Sequence, residues 1–256
     1  MKIINGDDGT GDILKLVNYK YCKEHFMNSV DIITADGGID VSNDFNKQEK
    51  LVSKLLIAEI IYAVTMQKRG GYFILKIFDI FSKLTVDMLY LLSCLYNEVY
   101  ITKPNTSRMA NSEKYIVCKN FLLDDSTMLY NAFCNEFSKL DTLGEICSIL
   151  NLEHDYYFLN KIEESNAIIG QQQLESYNQI INIFKNKNKE EKIESLKRSH
   201  IQKCIQWCEK NQIPHNKFTD KINIFLNTKR EESLKNKNVK SRCEFTLNIY
   251  AFLTLR

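Results

Sequence analysis

Lys76 lies inside an apolar run, flanked by Phe73, Ile74, Leu75, Ile77 and Phe78. An unpaired ammonium in such a setting is costly. The side chain must therefore reach water at the rim, as an edge-strand lysine facing solvent would, or be buried against a carboxylate. A lysine whose pKa is lowered by burial is a candidate general base, whereas an acid partner restores its charge and holds it in place. Two acids occupy comparable positions. Asp36 opens Asp36-Gly37-Gly38 at the end of the apolar segment Val30 to Ala35, and Glu113 heads the segment that runs through Lys114, Tyr115, Ile116, Val117 and Cys118 to Lys119. Ligands of open α/β sheets bind at the carboxyl ends of strands, which makes an acid followed by two glycines at such an end a site candidate.

These residues need strands to hold them, and the sequence supplies short apolar runs alternating with stretches of helical period, the pattern of an α/β domain with a mostly parallel sheet. Val30 to Ala35 reads as a first strand. From Gln48 to Lys68, Leu51, Leu55, Leu56, Ile60 and Val64 recur at helical spacing, with Gly70-Gly71 as the stop. Tyr72 to Phe78 reads as a second strand, Thr85 to Tyr96 as a helix, Glu98 to Thr102 as a third strand and Glu113 to Lys119 as a fourth. From about Asp124 the pattern turns helical, over Met128 to Leu140, Ile146 to Leu159 and Glu164 to Phe184. No comparable strand signal appears before the final residues. The domain division predicted is an α/β domain over residues 1–122 and a mainly helical region over 123–256.

The chain has 256 residues, 34 Lys and Arg against 32 Asp and Glu, 9 Gly and 2 Pro, with a formal net charge of +2. That excludes collagen-like, mucin-like and mostly disordered classes. Apolar runs fall short of the roughly twenty residues a membrane span requires, and the N-terminus lacks a signal peptide's apolar stretch, so an intracellular protein is expected. Eight cysteines spread through such a chain read as reduced thiols. His200, Cys204 and Cys208 at four-residue steps would rise about 6 Å per step on a helix, which separates the outer pair too far to share one ion; no metal site is expected. The mixed-charge run Lys185 to Lys197 reads as a solvated loop or helix end, with a basic patch for RNA as the alternative diluted by its interleaved acids.

Three segments carry a resemblance. Thr34-Ala-Asp-Gly-Gly38, Gly70-Gly-Tyr-Phe-Ile-Leu-Lys-Ile-Phe-Asp79 and Lys103-Pro-Asn-Thr-Ser-Arg-Met-Ala-Asn-Ser-Glu-Lys-Tyr-Ile-Val-Cys-Lys119 together resemble the FtsJ-like (RrmJ-type) 2′-O-methyltransferases, above all the cap-specific mRNA enzymes of eukaryotes and large DNA viruses. The resemblance covers about Asn5 to Lys119. A looser likeness to the helical tail of the cap enzymes takes in Asn160 to Asn166, Gln171 to Phe184 and Trp207 to Asn216. It implies a Rossmann-like methyltransferase sheet, S-adenosyl-L-methionine as cofactor, capped mRNA as substrate, and cytoplasm (a viral factory) or nucleus as location. Of the family's Lys-Asp-Lys-Glu tetrad, the second to fourth members map to Asp36, Lys76 and Glu113. Lys76 would then accept the proton of a ribose 2′-hydroxyl, with the acids orienting it.

The resemblance also implies cofactor contacts at Asp12, Ile13 and Asp36, and RNA contacts at Asn46, Lys47, Gln48, Arg108 and Asn111. Each type has a local reading beside this one: Asp12 as a turn cap, Asn46 as a helix cap, Arg108 as a tie for its own loop or a phosphate partner. The family's glycine-rich cofactor loop and first tetrad lysine lie upstream of the Asp8 to Ile13 segment. The expectation is the C-terminal part of such an enzyme, a truncated, mis-started or split gene product with an N-terminally incomplete sheet whose strand at Asp31 to Thr34 has an uncovered edge, the missing half being supplied by a separate polypeptide or not at all. The alternative function is a non-catalytic RNA- or partner-binding subunit that keeps the fold.

Overall fold

The computed structural model describes residues 3–39, 44–104, 107–137, 139, 144, 146–185, 189–215 and 253–254. Asn105, Thr106, Leu140 and Asn216, and residues 186–188 of the mixed-charge run, lie outside them. The chain separates into two compact units, one of residues 1–177 with 249–256 and one of residues 178–248.

The first unit opens with a glycine-rich turn stapled onto helix α1 (Leu16–Phe26). Asn18 Nδ2 donates to Asp8 Oδ1 and to the Asp12 carbonyl, and Lys15 Nζ lies 2.8 Å from Asp8. The periodicity gave no warning of α1, because its one deeply buried apolar side chain, Tyr19, stands among lysines. Strand β1 (Val30–Ala35) follows, then helix α2 (Gln48–Met66), whose second half is buried all round from Leu56 to Thr65, as a continuous apolar stretch requires. Strand β2 (Gln67–Ile77), helix α3 (Lys83–Leu95), strand β3 (Tyr96–Thr102) and strand β4 (Lys114–Phe121) complete the sheet, with a two-residue strand β5 (Leu253–Thr254) beside β3. Ser82 caps α3 by accepting from the Thr85 amide.

The strand order is β1-β2-β4-β3-β5. β1 runs parallel to β2, and β4 is inserted antiparallel between β2 and β3, so β1, β2 and β3 share one direction while two of the three main ladders are antiparallel. The mostly parallel pairing predicted from the alternation therefore holds for strand direction and fails for β4. Phe73, Leu75, Ile77, Ile116, Cys118, Val99 and Ile101 form one buried face under α2 and α3.

Gly70-Gly71 does not stop α2. The helix ends at Met66, and both glycines belong to β2, where Val30 pairs with Gln67 but Ile32 already pairs with Tyr72. The extra residues form a bulge that needs Gly70 at φ +81°, and a Cβ on Gly71 would lie 2.8 Å from the carbonyls of Asp31 and Lys68. The Gln67 amide fills the bulge, donating to the carbonyls of Asp31 and Tyr72 and accepting from the Tyr96 hydroxyl.

After β4 come helix α4 (Thr127–Phe137) and one long helix, α5 (Tyr156–Lys185), in place of the two helices predicted over 146–159 and 164–184. Residues 146–155 are irregular because Asp87 of α3, fully buried, takes their polar groups. Its Oδ2 accepts from Ser148 Oγ and the amides of Ile149 and Leu150, while Oδ1 meets Lys83 Nζ and His154 Nε2. Burial pushes the Asp87 carboxyl up, but the bonds from Lys83, Ser148 and the two amides outweigh it and hold it at about 2. In the second unit, helix α6 (Lys189–Lys210) takes up much of the mixed-charge run expected as a loop or helix end. None of the described helices is long and apolar enough to cross a membrane.

Candidate functional site

Because β1, β2 and β3 point one way, their carboxyl ends share one edge of the sheet with the start of β4. Three connections meet there: the segment after Ala35, the turn after Ile77 and the loop between Thr102 and Lys114. Lys76 sits one residue before the end of β2, a central strand, which removes the edge-strand reading. Strand alternation puts it on the face opposite the apolar core. Its side chain is 15% exposed, and Nζ lies 2.6 Å from Asp36 Oδ1 while donating to the Asp36 carbonyl at 3.1 Å. Asp36 is thus half of a buried-to-exposed pair, its own side chain being 71% accessible.

Beneath that pair is an acid the sequence reading did not single out. Glu59 of α2 is 7% exposed; its Oε1 accepts from the Gly37 amide at 2.9 Å, and Oε2 is buried without a hydrogen bond to any described residue. A Cβ on Gly37 would come within 2.9 Å of the end of the Leu55 side chain and closer still to the Glu59 carboxyl, so a larger residue there would displace that carboxyl. Burial pushes the Glu59 pKa up, against the pull of the Gly37 amide and the Lys76 charge. Its signal was visible: one glutamate inside Leu55-Leu-Ile-Ala-Glu-Ile-Ile61.

Glu113 precedes β4. Its Oε1 accepts from Ser107 Oγ at 3.1 Å and from the Tyr115 hydroxyl at 3.4 Å, and Tyr115 stands opposite Lys76 in the β2–β4 register. Burial, then the charges of Glu113 and Asp36, push the Tyr115 phenol up. Two lysines fix the loop. Lys103 Nζ donates to the carbonyls of Asn111 and Glu113 and to Asn111 Oδ1; burial and the neighbouring Lys114 lower its pKa to about 8, opposed by Glu113. Lys114, on the core face, donates to the carbonyls of Phe78 and Ser112 and lies 3.8 Å from Asp79. Nothing in the apolar periodicity separates these tethering lysines from Lys76; only position in the sheet does.

The remaining expected residues are distributed more widely. Asp12 accepts from the Leu14 amide and so caps the turn before α1, with Ile13 half-buried against the core; no bond among the described residues joins them to the Lys76–Asp36 pair. Asn46 and Lys47 are exposed just before α2, and Lys47 pairs with Asp44 at 3.1 Å. Gln48 is the first residue of α2, and the N-cap position belongs to Lys47 without a side-chain bond, so Asn46 does not cap the helix. Asn111 is held by Lys103. Arg108 is exposed, its guanidinium making no hydrogen bond or ion pair with a described residue, which removes the reading of a loop tie. His200, Cys204 and Cys208 all lie on α6, and the described residues contain no group of three side chains able to hold a metal ion.

Comparison with known proteins adds to this geometry. Residues 3–121 match the family described as FtsJ-like methyltransferase. A cap-specific mRNA (nucleoside-2′-O-)-methyltransferase 1 of Trypanosoma cruzi is 36% identical over 66% of this chain and 48% of its own length. The methyltransferase 1 of the same description from Drosophila melanogaster is 32% identical over 79% of this chain and 27% of its own. That span exceeds the FtsJ-like segment, so the likeness runs into the helices beyond β4. A solved ribosomal RNA methyltransferase of Plasmodium falciparum is 27% identical, covering 48% of this chain and 63% of that one, with a TM-score of 0.34. The chain spans about half or less of the length of these two curated relatives.

Proposed function

With residues 3–121 forming an FtsJ-like methyltransferase domain, we propose that the chain carries S-adenosylmethionine-dependent 2′-O-methylation of ribose in capped mRNA. The observation that carries the reading is the Lys76–Asp36 pair at the strand carboxyl ends, with Glu113 on the neighbouring loop. The Lys76 amine is fixed from two sides by one residue, so its remaining direction is set for a substrate hydroxyl. In its neutral form it accepts the 2′-hydroxyl proton, and in its charged form it stabilises the alkoxide that develops. Glu113, through Tyr115 and Ser107, sets the electrostatic field on the β4 side. Asn46, Lys47, Gln48, Asn111 and Arg108 are proposed to meet the RNA, with the guanidinium suited to phosphate.

For the cofactor, the fit rests on the turn after β1. Among the described residues, a Cβ on Gly38 would meet Lys76 Nζ alone, at 3.9 Å, beside an acid whose side chain is 71% accessible. Asp36 would hold S-adenosylmethionine there, and Asp12 with Ile13 remain proposed contacts. When bound, the cofactor supplies the electrophilic methyl group.

The non-catalytic subunit is not favoured, since both curated relatives bear the name of a methyltransferase and Asp36, Lys76 and Glu113 are all present. We also infer a separate polypeptide as partner. Among the described residues β1 pairs with β2 alone, and Ile32 on it is 64% exposed beside the half-exposed Tyr72. The location proposed is cytoplasm or nucleus.

The test is methyl transfer from labelled S-adenosylmethionine to capped and uncapped RNA, with the product nucleoside identified by mass spectrometry. A 2′-O-methyl mark on capped RNA that falls about 100-fold or more in Lys76→Ala, with cofactor binding kept, is the expected result. Turnover retained in Lys76→Ala removes this lysine from the reaction, and methylation of bases alone removes the reading.

A further inference from the structure

The turn after β2 is held from several sides. Lys114 Nζ donates to the Phe78 carbonyl and Asn166 Nδ2 of α5 to the Ile80 carbonyl, each at 2.8 Å, while the Ile80 side chain is buried. Glu49 Oε1 then accepts from the Phe81 amide at 3.1 Å, the Ser82 amide at 2.9 Å, Ser82 Oγ at 2.8 Å and Thr85 Oγ1 at 2.7 Å. From Phe78 to Ser82 four side chains are buried or half-buried and one is not. Phe81 is 76% exposed.

A phenyl ring on a loose loop can turn inward and recover the free energy of burial. Here the backbone on both sides is fixed, so the ring stays in water on a prearranged support. Glu49 is also the second residue of α2, so its bonds bring the Phe81–Ser82 backbone to the helix end that follows Asn46, Lys47 and Gln48 in the chain. The turn lies on the central one of the three connections at the edge that carries Lys76 and Asp36. An exposed aromatic ring carried on a fixed backbone turn suits the face of an unpaired base, which stacks on such rings whatever its identity.

We propose that Phe81 is a stacking platform for an unpaired base of the RNA that the Lys76–Asp36 edge receives. This rests on the RNA-methylation reading and adds a contact to it. The experiment is fluorescence anisotropy of a short single-stranded RNA, capped and uncapped, with the full chain and its Phe81→Ala and Phe81→Trp variants. Phe81→Ala weakens RNA binding by about tenfold, to a similar degree for different base sequences, with S-adenosylmethionine affinity unchanged. Phe81→Trp keeps the affinity, and its indole emission, read as the difference from the wild-type chain with its single Trp207, is quenched when RNA is added. Wild-type affinity in Phe81→Ala overturns the platform and leaves the methyltransferase reading standing. A chain that binds no RNA overturns both. An indole already blue-shifted as in a buried site before RNA is added means that protein covers the ring, and overturns the platform alone.

Discussion

Glu59 shows what a buried carboxyl can do without touching substrate. It holds the Gly37 amide, and Gly37 follows the acid that pins Lys76, so the turn cannot shift without moving Asp36. A neutral amide keeps that bond through its own oxygen. We expect Glu59→Gln to retain turnover within a few fold and Glu59→Ala to lower kcat by about 10- to 100-fold with little change in the KM for cofactor, as steady-state kinetics would measure. The Gly37 amide shift in NMR spectra reads the same contact without turnover: kept in Gln, lost in Ala. Because burial raises the Glu59 pKa above its usual 4.5, the folded state binds the proton more tightly than the unfolded chain, and this group's contribution falls as pH rises above 4.5. Glu59→Gln removes that dependence, so denaturation midpoints above pH 5 should be no lower than those of the wild type. Lys76 and Asp36 were legible in the sequence because a charge in an apolar run and Asp-Gly-Gly at a strand end are both rare. Glu59 carried the same kind of signal, a charge in an apolar run, but within a helical period a single polar residue is ordinary and does not stand out as it does in a strand.

At the scale of elements, the strands and α2 were legible because apolar runs bounded by polar segments leave few alternatives. The region after α4 was not, because a side chain 60 residues earlier decides it. Residues 148–154 carry enough apolar character for a helix, yet the backbone amides of Ile149 and Leu150 bond to Asp87, which no local pattern reveals. The glycine pair misled for the opposite reason: Gly-Gly ends helices and also permits bulges, and the buried Gln67 amide selects the bulge. Removing Asp87 leaves Lys83, His154 and two amides without their acceptor, so Asp87→Ala should destabilise the chain by about 3 kcal/mol in urea denaturation. Its carboxyl is held at about 2 against a usual 3.8, so its stabilisation is present above pH 3.8 and is lost as pH falls through about 2. That amounts to about 2 kcal/mol. The Asp87→Ala chain should therefore show a flatter stability profile between pH 4 and pH 2 than the wild type.

For the whole molecule, the first unit is lopsided. One face of its sheet is buried under α2 and α3, and α5 reaches the site edge, where Asn166 and Gln173 donate to the carbonyls of Ile80 and Ala110 and so fix the turn after β2 and the loop before β4. That contact gives the helices beyond β4 a part in the site, in keeping with a likeness to relatives that extends past the FtsJ-like segment. Among the described residues the β1 side has no such support: no strand pairs with its outer edge, and its open face offers Ile32 and Tyr72. An edge of this kind recruits a strand wherever one is available, from the proposed partner or from another copy of the chain. Ile32→Lys places a charge on that strand while leaving its half-buried residues Ile33 and Ala35, which pack against the core, untouched. In sedimentation velocity at tens of micromolar, the wild-type chain alone should associate and Ile32→Lys should remain monomeric, with equal thermal midpoints at low concentration. The same substitution should abolish capture of the partner. A wild-type chain that stays monomeric at high concentration, and a partner bound equally well by Ile32→Lys, would mean that β1 is already satisfied and that the partner, if it binds, does so elsewhere.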